Sequence, residues 1–374
     1  MKARKKSEQG RCSRRDVLVH LTRVAGVGAL AGAWPSPVWA AESKTPPPGT
    51  EQDDGQVVGT ARLRPDVRAA IRRGLEYLAR PELQKEDGGW TGQYTVAFTS
   101  TALMAYMLQG NVPGRGRYGK RMEAGISYLI ANGRSQRGLL ATPGNHQPMY
   151  EHGLGVLALS EAWGQSKNPR IRYTLRRGVD LLLESQNREG GWRYRPHSED
   201  ADLSVTVMQF VALMSAKEAG IVVPRRTVDR AVKYIMRCQD PESGGFNYQP
   251  DHPGGLFSLY RTPAAVLCLI LSGKRRHPAT LRGIAALRKE VKESKLLEGI
   301  TSPFHHYYAI QAMYQLSEAD FQSYYSKVTD VLVSQQQPDG SWNNVKHSTG
   351  RAWRASMAIL VLGVPYRYLP IYQR

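Results

Sequence analysis

The chain of 374 residues is 41% apolar, carries a net charge of +19 and holds three cysteines. That is apolar material for one large core or two modest ones, and too little cysteine for a disulfide-stapled scaffold. Cys12, Cys238 and Cys268 stand in no CxxC and in no Cys/His pair of metal-binding spacing. The last two read as small buried hydrophobes, and neither a metal nor a cofactor is expected.

A Lys- and Arg-rich start (Lys2, Arg4, Lys5, Lys6, Arg11) leads into Ser13-Arg14-Arg15-Asp16-Val17-Leu18, a run of small apolar residues, and Val38-Trp39-Ala40. This is the pattern of a signal peptide over residues 1–40, and its paired arginines point to the twin-arginine route, which exports folded proteins. A periplasmic or other extracytoplasmic location follows as an expectation. Arg23 interrupts the apolar run, so cleavage is favoured over a retained anchor, and no other stretch approaches the ~20 apolar residues needed to cross a bilayer. Removing residues 1–40 leaves a charge of +13. Its Lys and Arg residues are scattered over polar faces, which reads as solvated surface ahead of a polyanion site. No nucleic-acid partner is expected.

Residues 41–63, with "ESKTPPPGTEQDDGQ", lack an apolar period and read as a disordered linker. Helical periodicity begins near Arg64-Pro65-Asp66 and continues almost to residue 374, and strand alternation is nowhere sustained. Within this stretch a phrase recurs: Gln84 with Gly88 and Trp90, Gln186 with Gly190 and Trp192, Gln336 with Gly340 and Trp342, and more loosely Gln239 with Gly244 and Phe246. The aromatic residues are 102, 54 and 96 positions apart. A period of about fifty therefore requires two copies that lost the phrase, at residues 125–140 and 283–297.

Each unit reads as two helices. The first is amphipathic, as in "RGVDLLLESQ" and "RAVKYIMRCQ"; the second is apolar nearly all round, as in "STALMAYMLQG" and "PAAVLCLILSG". A helix without a polar face needs cover on every side. The expected fold is all-α, an (α/α)6 toroid over residues 64–374, built of six helical hairpins with the apolar helices inside and the amphipathic ones outside. In the recurring phrase, Gly lets the chain reverse between the two helices and the aromatic ring packs back on them.

Gln-x-x-x-Gly-x-Trp at the turn of successive helical hairpins resembles the prenyltransferase and squalene-cyclase repeat superfamily, over about residues 64–374. "HHYYAIQAMYQL" and "YLPIYQR" look like its secreted, single-toroid bacterial members. The resemblance implies the (α/α)6 toroid. Triterpene cyclases of this group start catalysis from an Asp-x-Asp-Asp segment ahead of an inner helix. Here "HSEDADLSVT" supplies Asp200 and Asp202, but Leu203 replaces the third acid. The resemblance thus implies Asp202 as an acid assisted by Asp200, while Asp202 equally stands where a helix N-cap belongs. Protein prenyltransferases of the group hold zinc with Asp, Cys and His, a set without a counterpart around His305 and His306.

Residues at the starts of the inner helices should ring one mouth of the toroid. They are polar and aromatic: Tyr94, His146, Tyr150, Glu151, His152, Asp200, Asp202, Tyr260, Arg261, His305, His306, Tyr307, Arg351, Trp353 and Arg354. Such a funnel above an apolar well suits an isoprenoid or other apolar small molecule. Aromatic walls could stabilise a cation, and His152 or Asp202 could supply a proton. The same residues could instead cap helices and bond one another. Three functions stay open: a terpenoid cyclase-like or prenyltransferase-like enzyme, a non-catalytic toroid that binds a ligand or partner, and a polysaccharide lyase-like toroid using Arg261, Arg351 and Arg354.

Overall fold

Twelve α-helices alternate in character along the residues that the computed structural model describes, 63–166, 168–252, 258–293, 303–342 and 350–366. All of these lie in the unit Glu51–Arg374. The signal expected over 1–40 and the linker up to residue 62 fall outside the described residues, as do the side chains of 258–260 and 303–305. The helices are α1 Pro65–Leu78, α2 Thr95–Leu108, α3 Gly119–Ser135, α4 Pro148–Gln165, α5 Pro169–Ser185, α6 Leu203–Glu218, α7 Arg225–Arg237, α8 Ser258–Leu271, α9 Pro278–Lys292, α10 Pro303–Leu316, α11 Glu318–Gln335 and α12 Arg351–Leu362. Five of them begin on proline, whose fixed φ and missing N–H suit the first helical position. Asn168, Asp202, His277 and Ser317 cap α5, α6, α9 and α11 by accepting a hydrogen bond from a backbone N–H of the first turn.

Even- and odd-numbered helices differ as their sequences require. Every residue of α2 is buried, and α6 buries most of its length. On α7 only Thr227, Ala231, Val232, Tyr234 and Ile235 are buried, one face of the helix, and its arginines lie outside. The even-numbered helices pack in a circuit: α2 on α4, α4 on α6, α6 on α8, α8 on α10, α10 on α12, and α12 back on α2. That circuit is a closed inner ring, and the odd-numbered helices lie around it. The fold is an all-α toroid of six inner and six outer helices.

Outer and inner helices follow one another in chain order as six hairpins, and packing adds a second relation between successive hairpins. An outer helix packs more extensively on the inner helix before it in the chain than on the one after it, so the close pairs are α2 with α3, α4 with α5, and so on. The same rule pairs α12 with α1 and closes the ring across the whole sequence. The recurring phrase is therefore a joint between pairs. Its Gln and its aromatic residue form an isolated antiparallel bridge in two copies, Gln84 with Trp90 and Gln239 with Phe246. In each copy the Gln amide donates to the carbonyl of its own turn glycine and to a carbonyl of the next outer helix. Gln84 reaches Gly88 at 2.9 Å and Arg121 at 3.0 Å; Gln186 reaches Gly190 at 2.8 Å and Thr227 at 2.9 Å; Gln239 reaches Gly244 at 3.0 Å and Ala279 at 2.7 Å. The last copy closes the circle, since Gln336 reaches Gly340 at 3.1 Å and Ala70 of α1 at 2.8 Å. Each indole N–H donates back to the outer helix it follows: Trp90 to Leu78, Trp192 to Leu182 and Trp342 to Leu332, at 2.7–3.0 Å.

Why this joint needs glycine is clearest at Gly190. Its φ is +97°, and a Cβ there would lie 2.5 Å from the Arg230 carbonyl oxygen. The copy missing near residue 140 keeps this device. Gly138 has φ +105° and abuts the Arg177 carbonyl, while Leu140 takes the place of the aromatic ring.

Candidate functional site

The polar residues at the starts of the inner helices divide into those that hold the rings together and those that gather at one place. Backbone N–H groups at the joints need acceptors, and three copies use a threonine: Trp90 donates to Thr99 Oγ1, Trp192 to Thr206 Oγ1 and Phe246 to Thr262 Oγ1, at 2.9–3.1 Å. In the copy without an aromatic ring His152 does this work. Its Nδ1 accepts from Leu140 N–H at 3.0 Å, which leaves Nε2 to donate to Gly178 O of α5 at 3.1 Å. The ring is fully buried, and burial lowers its pKa to about 4, so it is neutral with both nitrogens occupied between the ring layers.

Glu151 is similarly committed. One oxygen accepts from Ala97 N–H at 3.1 Å and Thr142 Oγ1 at 2.7 Å, the other from Thr142 N–H at 3.1 Å and Asn145 Nδ2 at 2.5 Å. It caps the start of the neighbouring inner helix. His306 turns to the outer ring, where its Nδ1 meets the Tyr324 hydroxyl at 2.5 Å. Tyr307 is buried against Tyr308, their ring centres 5.1 Å apart. His146 and Arg351 are exposed, as is Tyr94, which meets Phe98 edge-on at 6.4 Å. Phe98 packs in turn against half-buried Trp353, and Arg354 is half-buried on the same helix. The side chains of Tyr260 and His305 lie outside the described residues.

A second group converges around Asp202. This residue is fully buried and caps α6, its Oδ1 accepting from Val205 N–H at 2.9 Å. Its Oδ2 accepts from Arg193 Nη1 at 3.1 Å, and Arg193 Nε pairs with exposed Asp200 at 3.1 Å. Arg193 also donates to the Tyr248 hydroxyl at 2.5 Å, and that hydroxyl bonds the Tyr194 hydroxyl. The Arg193 guanidinium lies 4.5 Å from the centre of the Tyr194 ring and 5.3 Å from that of Tyr248. Tyr150 of α4 stands 5.8 Å from Tyr194, with Ser204 of α6 near its hydroxyl. Arg261 of α8 completes the group, its guanidinium 5.5 Å from the Tyr248 ring centre. Backbone ties set the frame: Leu203 N–H donates to Tyr248 O, and Gln249 Nε2 to Ala201 O, both at 2.8 Å.

Burial raises the Asp202 carboxyl to about 6, outweighing the opposing pull of the Val205 N–H and of Arg193. Burial likewise raises the Tyr150 and Tyr248 hydroxyls, and it lowers Arg261. The arrangement combines a carboxyl of raised pKa, three tyrosine rings and two guanidiniums around the starts of α4, α6 and α8. Of this group the sequence reading names Tyr150, Asp200, Asp202 and Arg261 and misses Arg193, Tyr194, Ser204 and Tyr248. A signal was available: Tyr194 and Tyr248 each follow the motif aromatic by two positions. Among the described residues no group of three His, Cys, Asp or Glu could hold a metal ion, and no helix is long and apolar enough to cross a membrane.

No family model matches the chain. A drimenyl diphosphate synthase of Streptantibioticus cattleyicolor is 32% identical over 114 residues, 30% of this chain and 19% of that protein, so the chain matches about a fifth of that relative's length. Among solved structures, an α-1,6-mannanase of Salegentibacter aligns with 81% of this chain and 99% of its own at a TM-score of 0.57 and 10% identity. A type II terpene cyclase of Scytonema, solved with a merosterolic acid product, aligns with 82% of this chain and 98% of its own at 0.54 and 14%. A D-mannose isomerase aligns with 80% and 97% at 0.55 and 15%. These likenesses fix the α/α toroid; identities this low carry no chemistry with them.

Proposed function

We propose that this toroid is terpenoid-cyclase-like: it takes an apolar, isoprenoid-type molecule, and Asp202 transfers the proton that starts the reaction. The observation that carries this reading is the Asp202 carboxyl, buried at the start of an inner helix among Tyr150, Tyr194 and Tyr248, and raised to about 6 despite its Arg193 partner. Protonation of an alkene carbon leaves a carbocation, and tyrosine faces can stabilise one. The partial Asp200-x-Asp202 pattern and the local identity to a drimenyl diphosphate synthase support the reading, as does a fold neighbour that was solved with geranylgeranyl dihydroxybenzoate. Asp202→Asn is the test, because asparagine caps a helix as well as aspartate does. Purified protein is incubated with squalene, farnesyl diphosphate and geranylgeranyl diphosphate, and products are read by gas chromatography and mass spectrometry. Conversion by the native protein that disappears in the variant supports Asp202 as the acid. Conversion that persists in the variant refutes it.

One observation favours a second, non-catalytic reading. Both carboxylate oxygens of Asp202 already hold partners, Val205 N–H and Arg193. Under that reading a lipid retained through purification is recovered unchanged and identical from both proteins, whereas a recovered oligosaccharide favours a sugar-active toroid. Export by the twin-arginine route is part of the proposal. It is tested by cell fractionation of the native chain against Arg14→Lys with Arg15→Lys, which should hold the protein in the cytoplasm.

A further inference from the structure

The two arginines beside Tyr248 are not equivalent. Arg193 is committed: Asp202 and Asp200 both pair with it, and it donates to the Tyr248 hydroxyl. These are the carboxylates of the cluster, and both are committed to this one guanidinium. Arg261 approaches the same tyrosine ring from α8, 5.5 Å from its centre, and makes no hydrogen bond or ion pair among the described residues. It is half-buried, and its Nε–H is shut off from water without an acceptor. A donor in that state carries an uncompensated desolvation cost, and a charged donor more than a neutral one. Surface arginines escape the cost by extending into solvent; this one lies against Tyr248 at the place where Asp202, Tyr150 and Tyr194 converge. Burial pulls its pKa down, outweighing the opposing pull of nearby Tyr248 and Asp202.

We infer that Arg261 is the recognition point for an anionic head group on the apolar ligand, a carboxylate or a phosphate ester held by the guanidinium beside the Tyr248 ring. The inference rests on the proposed isoprenoid-type ligand and adds to it one charge and its position. An anion at Arg261 satisfies the orphan N–H and can accept two parallel hydrogen bonds from the guanidinium fork. It sets the ligand's polar end at the start of α8 and leaves the apolar body to the ring. Asp202 stays paired with Arg193 throughout, so binding of the head group and proton transfer use different residues.

The test measures binding by tryptophan fluorescence and calorimetry on the full chain, with four probes: farnesol, farnesyl diphosphate, farnesoic acid and inorganic diphosphate. The native protein is expected to bind both anionic farnesyl probes at least about tenfold more tightly than farnesol. Arg261→Gln should abolish that preference and leave farnesol binding as it was. Arg261→Lys, which keeps the charge, should retain part of it and guards against a folding defect in the first variant. The ratio between the diphosphate and the carboxylate probe tells which anion the site prefers. Equal affinity for farnesol and its anionic forms overturns the inference while the isoprenoid reading survives. Preference unchanged in Arg261→Gln overturns it as well. Inorganic diphosphate that binds as tightly as the farnesyl probes, with no farnesol binding, overturns the isoprenoid reading and keeps the anion site.

Discussion

Replacing Gln336 by alanine should weaken the ring at one identifiable seam. The Gln336 amide donates to Ala70 O at 2.8 Å and to Gly340 O at 3.1 Å, and its carbonyl accepts from Arg73 Nη2 at 2.5 Å. The first two bonds are partly buried and are worth about 1 kcal/mol each, while the third is exposed and adds about half as much. The expected loss is about 2–3 kcal/mol. Other polar ties across the seam offer little compensation, because Arg64–Asp330 and Arg80–Asp339 are exposed pairs. In a ring of this size such a loss lowers the melting midpoint by about 3–5 °C. Hydrogen exchange supplies the more discriminating readout. Gln336→Ala should speed exchange in α1, which the amide anchors, and leave α5 and α7 unaffected. Gln186→Ala removes the equivalent pair of bonds to Gly190 and Thr227, so it should do the reverse. An unchanged midpoint, or faster exchange spread evenly over the ring, would refute the assignment of these amides as ties between pairs.

Three further outcomes follow from the joints and the site. Asp202 binds a proton in the folded chain up to about pH 6, against 3.8 in the unfolded one, so between those values stability falls as pH rises. Relative to Asp202→Asn the native protein should lose about 3 kcal/mol across that window in urea titrations, and a constant difference would contradict the burial-driven shift. His152→Ala leaves Leu140 N–H and Gly178 O without partners and should cost about 3 kcal/mol, whereas His152→Thr, which imitates the other joints, should recover part of it. Denaturation midpoints decide between them, and equal losses would mean that the acceptor role of the ring is unimportant. Gly190→Ala places a methyl group 2.5 Å from the Arg230 carbonyl at φ +97° and should destabilise by about 1–3 kcal/mol or more, against no change if the joint can relax.

The sequence disclosed the ring because its evidence is local and repeated. Apolar and amphipathic helices alternate, and Gln186, Gly190 and Trp192 mark the turn wherever the spacing allows. What each Gln grips was not legible, since Gln336 and Ala70 are 266 residues apart and nothing in either segment names the other. The packing between hairpins is not legible for a related reason. Chain order shows which helices the motif turn connects, whereas the more extensive contact of each outer helix is with the inner helix before it. At the site, Asp202 was visible both as a cap and as an acid because the two roles share one residue type. His152 and Glu151 looked like chemistry because a buried joint that lacks its usual threonine or needs four donors answered also uses polar side chains. Arg193 and Tyr248 lie in short segments between helices, where no periodicity marks a residue as part of a site.

The packing of α12 on α1 repeats the relation between every other inner helix and the outer helix that follows it. The α12–α1 seam is therefore one of six like seams, and none of them has architectural privilege. A gene reordered so that α12 runs on into α1, with the new ends opened between α6 and α7, would encode the same contacts in a different order. Stability in such permutants would report how much each joint contributes once the order in which the backbone visits the seams has been moved around the circle.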